Sequence, residues 1–137
     1  VTLWVGVLNL KDMTLNYVDA GHGYALLGPT PAAMQRLPIG EQLPVGVEAD
    51  FDYVAQSVSL PESGCALLIS DGIVEQPASP QAVDMSPFGM VGVERTLREL
   101  SPNADLIADL FSSVIHHAGQ QALADDATAV LTSWSNS

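Results

Sequence analysis

The stretch Leu67-Leu68-Ile69-Ser70-Asp71-Gly72-Ile73-Val74-Glu75 constrains the fold more than any other. Residues 65–70 read as a central strand, and its near-continuous apolar run asks for burial on both faces. The run stops at Ser-Asp-Gly, so an acidic side chain stands at the mouth of a strand, where the backbone must turn. A carboxylate in that place either forms the turn or holds a cation.

The sequence around it is strand-rich first and helical late. Residues 2–8 and 15–20 read as strands joined by a turn at 9–14. Leu15-Asn16-Tyr17-Val18-Asp19-Ala20 alternates with period two and buries one face. Gly21-His22-Gly23 interrupts the ladder, and residues 24–27 resume it. Residues 32–50, with Pro38, Gly40, Pro44 and Gly46, read as an ordered loop. Residues 51–60 alternate in part, and Pro61-Glu62-Ser63-Gly64 is a turn. A Pro/Ser-rich loop follows Glu75 as far as about Pro87. One helix is expected over 92–100, with Val93, Leu97 and Leu100 on one face. A second is expected over 103–118, with Ser101 as N-cap, Pro102 at the first helical position and Gly119 as the stop. Its apolar stripe is Leu106, Ile107, Leu110, Phe111, Val114 and Ile115. Asp125-Asp126 then opens a last strand over 127–132. The order predicts an antiparallel α+β layer fold.

Composition narrows the function classes. Sixteen acidic residues face four basic ones, Lys11, Arg36, Arg95 and Arg98, for a net charge of -12. No nucleic-acid partner is expected, because phosphate backbones need a Lys/Arg stripe. No anionic membrane surface is expected either, and no apolar stretch is long enough to span a bilayer. The apolar content of 47% over 137 residues supports a real core and a single domain or part of one. The lone Cys65 excludes an internal disulfide and reads as a small buried thiol in a reducing, cytoplasmic setting. Residues 1–8 lack a basic segment and read as a strand entered midway, not as a signal peptide. The expectation is a piece of a longer chain.

Asp71 follows the end of one strand, and Asp125-Asp126 precedes the start of another. If those strands are antiparallel neighbours, about 4.8 Å apart, their acidic ends share one side of the sheet. Such carboxylates repel one another unless a cation lies between them. Oxygen ligands alone favour Mg²⁺ or Mn²⁺ over zinc. Each motif also has a plainer reading: Ser-Asp-Gly is a common turn, and an Asp-Asp pair is a common loop. His22 reads as a structural histidine of its turn, with a general acid or a ligand as the alternatives. Glu75 reads as surface. His116 and His117 are adjacent on a helix and point apart, so they cannot chelate one ion.

Taken in order, five blocks carry more than generic physics. They are Tyr17-Val18-Asp19-Ala20-Gly21-His22, Leu43-Pro44-Val45-Gly46-Val47, Leu68 to Glu75, Phe88-Gly89 with Gly92-Val93-Glu94-Arg95, and Asp125-Asp126-Ala127-Thr128-Ala129-Val130. The series resembles the C-terminal half of the SpoIIE/RsbU-type branch of the PP2C-like (PPM) metal-dependent serine/threonine phosphatases. The resemblance implies an αββα sandwich with two Mn²⁺ or Mg²⁺ ions between its sheets. It implies hydrolysis of phosphoserine or phosphothreonine by a metal-activated water. It places metal ligands and catalytic carboxylates at Asp71 and Asp125, Asp126 in support, and Gly72 where the backbone passes the ions. It implies a phosphorylated STAS-type anti-anti-sigma factor as substrate and a sensor or receiver domain upstream.

The family's earlier Asp-x-x-Gly-His-Gly block is absent, because Gly21-His22-Gly23 matches the later Ala-Gly-His block. Residues 1–137 are therefore expected to be the C-terminal portion of one phosphatase domain, inactive alone, with a homodimer or the missing half covering Leu3, Val5 and Val7. Two alternatives stand beside this. One is a degenerate phosphatase-like interaction or dimerisation module. The other is an unrelated acidic domain whose aspartates only cap turns.

Overall fold

The computed structural model describes residues 1–101, 103–119 and 122–135. The alternating segment is β2 (Thr14–Ala20), which lies between β1 (Leu3–Asn9) and β5 (Gln56–Ser59), antiparallel to both. A second sheet contains β3 (Ala25–Gly28), β4 (Gln35–Arg36), β6 (Ser63–Ile69) and β7 (Ala129–Ser135), in the order β4-β3-β6-β7 and antiparallel throughout. The opening stretch is thus an interior strand, β6, followed by a short helix, α1 (Asp71–Val74).

Side-chain alternation stacks these sheets. Trp4, Leu8, Leu15, Tyr17 and Val58 of the first sheet pack against Leu27 and Trp134 of the second. Leu26, Cys65, Leu67 and Ile69 point the other way, beneath α2 (Gly89–Glu99) and α3 (Leu106–His117). The helices contribute Val93, Leu97, Leu106, Leu110 and Val114 to that core. The layers run sheet, sheet, helices. β6 reads as apolar on both faces because one face meets a sheet and the other meets helices. The α+β class and its antiparallel pairing follow the sequence reading.

Among the described residues nothing covers the outer face of the first sheet. On β1, Trp4 and Leu8 turn inward while Leu3, Val5 and Val7 turn outward, at 50%, 53% and 65% exposure.

Element ends differ from the sequence reading where a partner, rather than propensity, decides them. The strand expected from residue 51 begins at Gln56, because its ladder with β2 ends at the Tyr17–Gln56 pair. β7 begins at Ala129 and continues to Ser135 because it pairs along the full length of Ser63–Ile69. α2 begins at Gly89, three residues before its expected start, with the buried Phe88 ring lying against Gly92. Ser101 is not the N-cap of α3. Asp105 takes that role, its Oδ1 accepting from the Ala108 N–H at 3.1 Å and satisfying a free first-turn donor. Pro102 lies outside the described residues. The stripe of α3 is also narrower than expected: Leu106, Leu110 and Val114 are buried, while Ile115 is exposed. Gly119 does end the helix, with φ at +72° and its N–H donating to the His116 carbonyl. Cys65 is buried, and burial pushes its thiol pKa up, as expected of a structural thiol.

Candidate active site

The pairing of β6 with β7 brings the two acidic segments to one end of the second sheet. Ile69 pairs with Ala129, so Asp71 leaves the ladder where the Asp125-Asp126 segment enters it. Ser70 fastens the junction. Its N–H donates to the Thr128 carbonyl at 2.9 Å, its Oγ accepts from the Thr128 N–H at 2.9 Å, and its hydroxyl reaches the Asp126 carbonyl at 3.4 Å. Gly72 completes the contact, since a Cβ on it would strike the Asp126 carbonyl. Gln76, buried, adds a second tie: its Oε1 accepts from the Ala124 N–H at 2.9 Å, one residue before Asp125.

The carboxylates themselves face solvent. Asp71 Oδ1 accepts from the Gly72 N–H at 2.9 Å, and Asp125 Oδ1 accepts from the Asp126 N–H at 2.7 Å. Each keeps its second oxygen free of protein hydrogen bonds among the described residues. Asp126 meets α1 through its backbone carbonyl. Among the described residues no three His, Cys, Asp or Glu side chains converge as a set able to hold a metal. The donors present are carboxylate and carbonyl oxygens, which suit Mg²⁺ or Mn²⁺.

Asp71 lines a cavity of about 250 Å³ with Thr2, Gly21, His22, Tyr24, Ser70 and Glu75. It opens where the ends of the two sheets meet. Glu75, read from sequence as a surface residue, is exposed but stands in the wall of this cavity, because the single turn of α1 returns it beside Asp71. His22 is held as a structural turn residue through its backbone. The buried Asp19 carboxylate accepts from the His22 N–H at 2.7 Å and from the Gly23 N–H at 2.9 Å. The His22 ring also borders the cavity, and its Nε2 is shielded from solvent without a hydrogen-bond partner among the described residues. Tyr24 stands edge-on to that ring, with centroids 5.8 Å apart. Burial, then Glu75 and Asp71, push the Tyr24 hydroxyl pKa up, so it stays protonated.

Sequence reasoning passed over Asp19, Tyr24 and Gln76 as contributors to this region. Asp19 had a usable signal, an Asx residue three positions before the N–H it caps. Tyr24 and Gln76 reach this region by pairings far along the chain, Tyr24 beside Asp71 and Glu75 and Gln76 at Ala124, and had none.

The family model for stage II sporulation protein E (SpoIIE) matches residues 1–135. This chain belongs to the SpoIIE family. It is 27% identical over 126 residues to the phosphoserine phosphatase RsbP of Bacillus subtilis (strain 168), covering 90% of the chain and 28% of RsbP. The structure of the PP2C phosphatase domain and a regulatory-domain fragment of the B. subtilis cell fate determinant SpoIIE superposes with a TM-score of 0.73 at 22% identity, covering 95% of the SpoIIE-family chain and 37% of that structure. A SpoIIE phosphatase domain presoaked with manganese superposes with a TM-score of 0.69 at 21% identity, over 99% of the chain and 57% of that structure. The fold is that of PP2C-like domains. The chain spans under a third of RsbP and about a third to three-fifths of the SpoIIE structures.

Proposed function

We propose that this chain forms the β6–β7 side of the active site of a metal-dependent serine/threonine protein phosphatase. The observation that carries the reading is the docking of Gly72 on Asp126, which sets Asp71 beside the Asp125-Asp126 segment at the mouth of a cavity. Membership of the SpoIIE family and the likeness to a phosphoserine phosphatase support it. Asp71 and Asp125 would hold the ion, either Mn²⁺ or Mg²⁺, with two ions in the whole domain. Asp126 supports them through its backbone, and Gly72 keeps the approach clear. The ion, when bound, supplies Lewis acidity and activates water for attack on phosphorus. The protein's part is to hold carboxylates that would otherwise repel one another and to set the phosphate beside Glu75, His22 and Tyr24.

Activity is proposed for the longer protein, since the chain covers 28% of RsbP and its described residues bring no three ligands together. A STAS-type phosphoprotein substrate, an upstream sensor or receiver domain and a cytoplasmic location belong to the same proposal. No helix among the described residues is long and apolar enough to cross a membrane. The test is phosphate release from a phosphoserine peptide by the full-length protein. Release is expected with Mn²⁺ or Mg²⁺ and is expected to stop on chelation. Release that persists in excess chelator would sink the metal-dependent reading. One rival stands beside this reading, a phosphatase-like interaction module without catalysis. Absence of both turnover and metal binding in the full-length protein selects that rival.

The exposed row Leu3, Val5 and Val7 has a place in this reading. An αββα sandwich carries a second helical layer, and we propose that this layer, or a second copy, covers the row. Residues 1–137 alone are expected to self-associate in sedimentation at tens of micromolar, because contiguous exposed apolar surface drives association. Changing all three residues to Thr should restore a monomer. A monomeric wild type with a cooperative melt would count against the proposal.

A further inference from the structure

A phosphomonoester entering the Asp71 cavity meets a wall of its own sign. Asp71 and Glu75 line the cavity, and none of Lys11, Arg36, Arg95 or Arg98 does. Oxygens of the phosphoryl group that do not meet a cation therefore need neutral hydrogen-bond donors. Most donors around the cavity are already committed. The Ser70 hydroxyl is engaged with Thr128 and Asp126. The N–H groups of His22 and Gly23 go to Asp19, and that of Gly72 goes to Asp71. The His22 Nε2 is shielded from solvent. Thr2 is an exposed residue ahead of β1. Tyr24 remains. Its hydroxyl has no hydrogen-bond partner among the described residues, and its ring is fixed. His22 stands edge-on to the ring, the helix-side core packs against it, and its carbonyl accepts from the Ile69 N–H at 3.1 Å.

We propose that Tyr24 is a substrate-contacting residue whose hydroxyl donates a hydrogen bond to a phosphoryl oxygen in this cavity. The inference rests on the phosphatase reading above and adds a recognition group to it. A neutral phenol hydroxyl is a donor at physiological pH. A phenol beside two carboxylates is suited to this work. It offers a donor without adding a cation that would pair with the acids, and its rigid ring loses little freedom when the phosphate arrives.

The test compares wild type, Tyr24→Phe and Asp71→Asn in the full-length protein with Mn²⁺. It measures steady-state hydrolysis of a phosphoserine peptide, and binding of inorganic phosphate and of Mn²⁺ by calorimetry. Tyr24→Phe keeps the ring and its packing, so a thermal melt like that of wild type is expected. Its kcat/KM should fall roughly 10-fold, mostly through KM, as for a lost bond to a charged group. Phosphate affinity should fall by about the same factor, with Mn²⁺ affinity unchanged. Unchanged KM and phosphate affinity would overturn the proposal, and so would a fall in kcat alone. If Asp71→Asn still abolishes turnover in that case, the phosphatase reading stands without the Tyr24 contact. A wild type that neither hydrolyses the peptide nor binds phosphate overturns both.

Discussion

Asp71→Asn in the full-length protein is expected to lower phosphate release by at least about 100-fold and to remove the heat of Mn²⁺ binding. Supporting partners of metal ligands typically cost roughly 10–100-fold when lost, and a ligand itself costs at least as much. The substitution separates charge from structure. The asparagine amide retains an oxygen that can accept from the Gly72 N–H, so the 2.9 Å bond opening α1 survives. One negative charge is lost beside Glu75 in a chain of net charge -12, which relieves repulsion. The melting temperature should therefore hold or rise slightly while activity collapses. The opposite pattern, a lower melting temperature with metal binding and turnover retained, would make Asp71 a turn-former only. Glu75→Gln provides the contrast. It stands in the same wall but outside the proposed ligand set, so Mn²⁺ binding should survive it.

What could be read from sequence, and what could not, divides along a physical line. β2 was legible because one buried face imposes a period of two on Leu15, Tyr17 and Asp19. β6 was legible because cover on both faces demands apolar residues throughout. The junction of Asp71 with Asp125-Asp126 was legible only conditionally. It required β6 and β7 to be antiparallel neighbours, a pairing that no local propensity encodes. Element ends set by a partner, such as Gln56 opposite Tyr17, left no local mark. Ser101 and Asp105 are both good caps for α3, and the choice depends on where Leu106 meets the core beneath the helices. Around the site, Glu75 looked like any acidic residue after a strand. Only the single-turn geometry of α1 shows that it returns to the cavity beside Asp71. Family resemblance named Asp71 and Asp125. It did not show how Ser70, Gly72 and Gln76 hold their segments together, because those contacts are made by backbone groups, one hydroxyl and one buried amide.

Gly72→Ala is expected to destabilise the chain by about 2–4 kcal/mol, at the upper end of what an added methyl costs in packed protein. The cause is purely steric. A Cβ at residue 72 would overlap the carbonyl oxygen and carbon of Asp126 and approach the Cα of Ala127. These are backbone atoms, with no rotamer to yield, and Ser70 and Gln76 pin the same segment from either side. Gly46 is the matched control. It has φ at +87° and nothing within 4 Å of the place a Cβ would take, so Gly46→Ala carries only the left-handed backbone cost. That cost is about 1 kcal/mol. For a domain of this size roughly 4 °C per kcal/mol is expected, so Gly72→Ala should melt about 8–16 °C below wild type and Gly46→Ala about 4 °C below it. Equal melting temperatures for the two variants would show that the α1–Asp126 contact is loose. A loose contact would leave only the Ser70 and Gln76 ties to hold Asp71 near Asp125. If the contact is tight, the added methyl can be accommodated only by pushing the Asp125-Asp126 segment away from α1. Gly72→Ala should then lose Mn²⁺ affinity even at temperatures where it remains folded, although it alters no candidate ligand side chain, and Gly46→Ala should not.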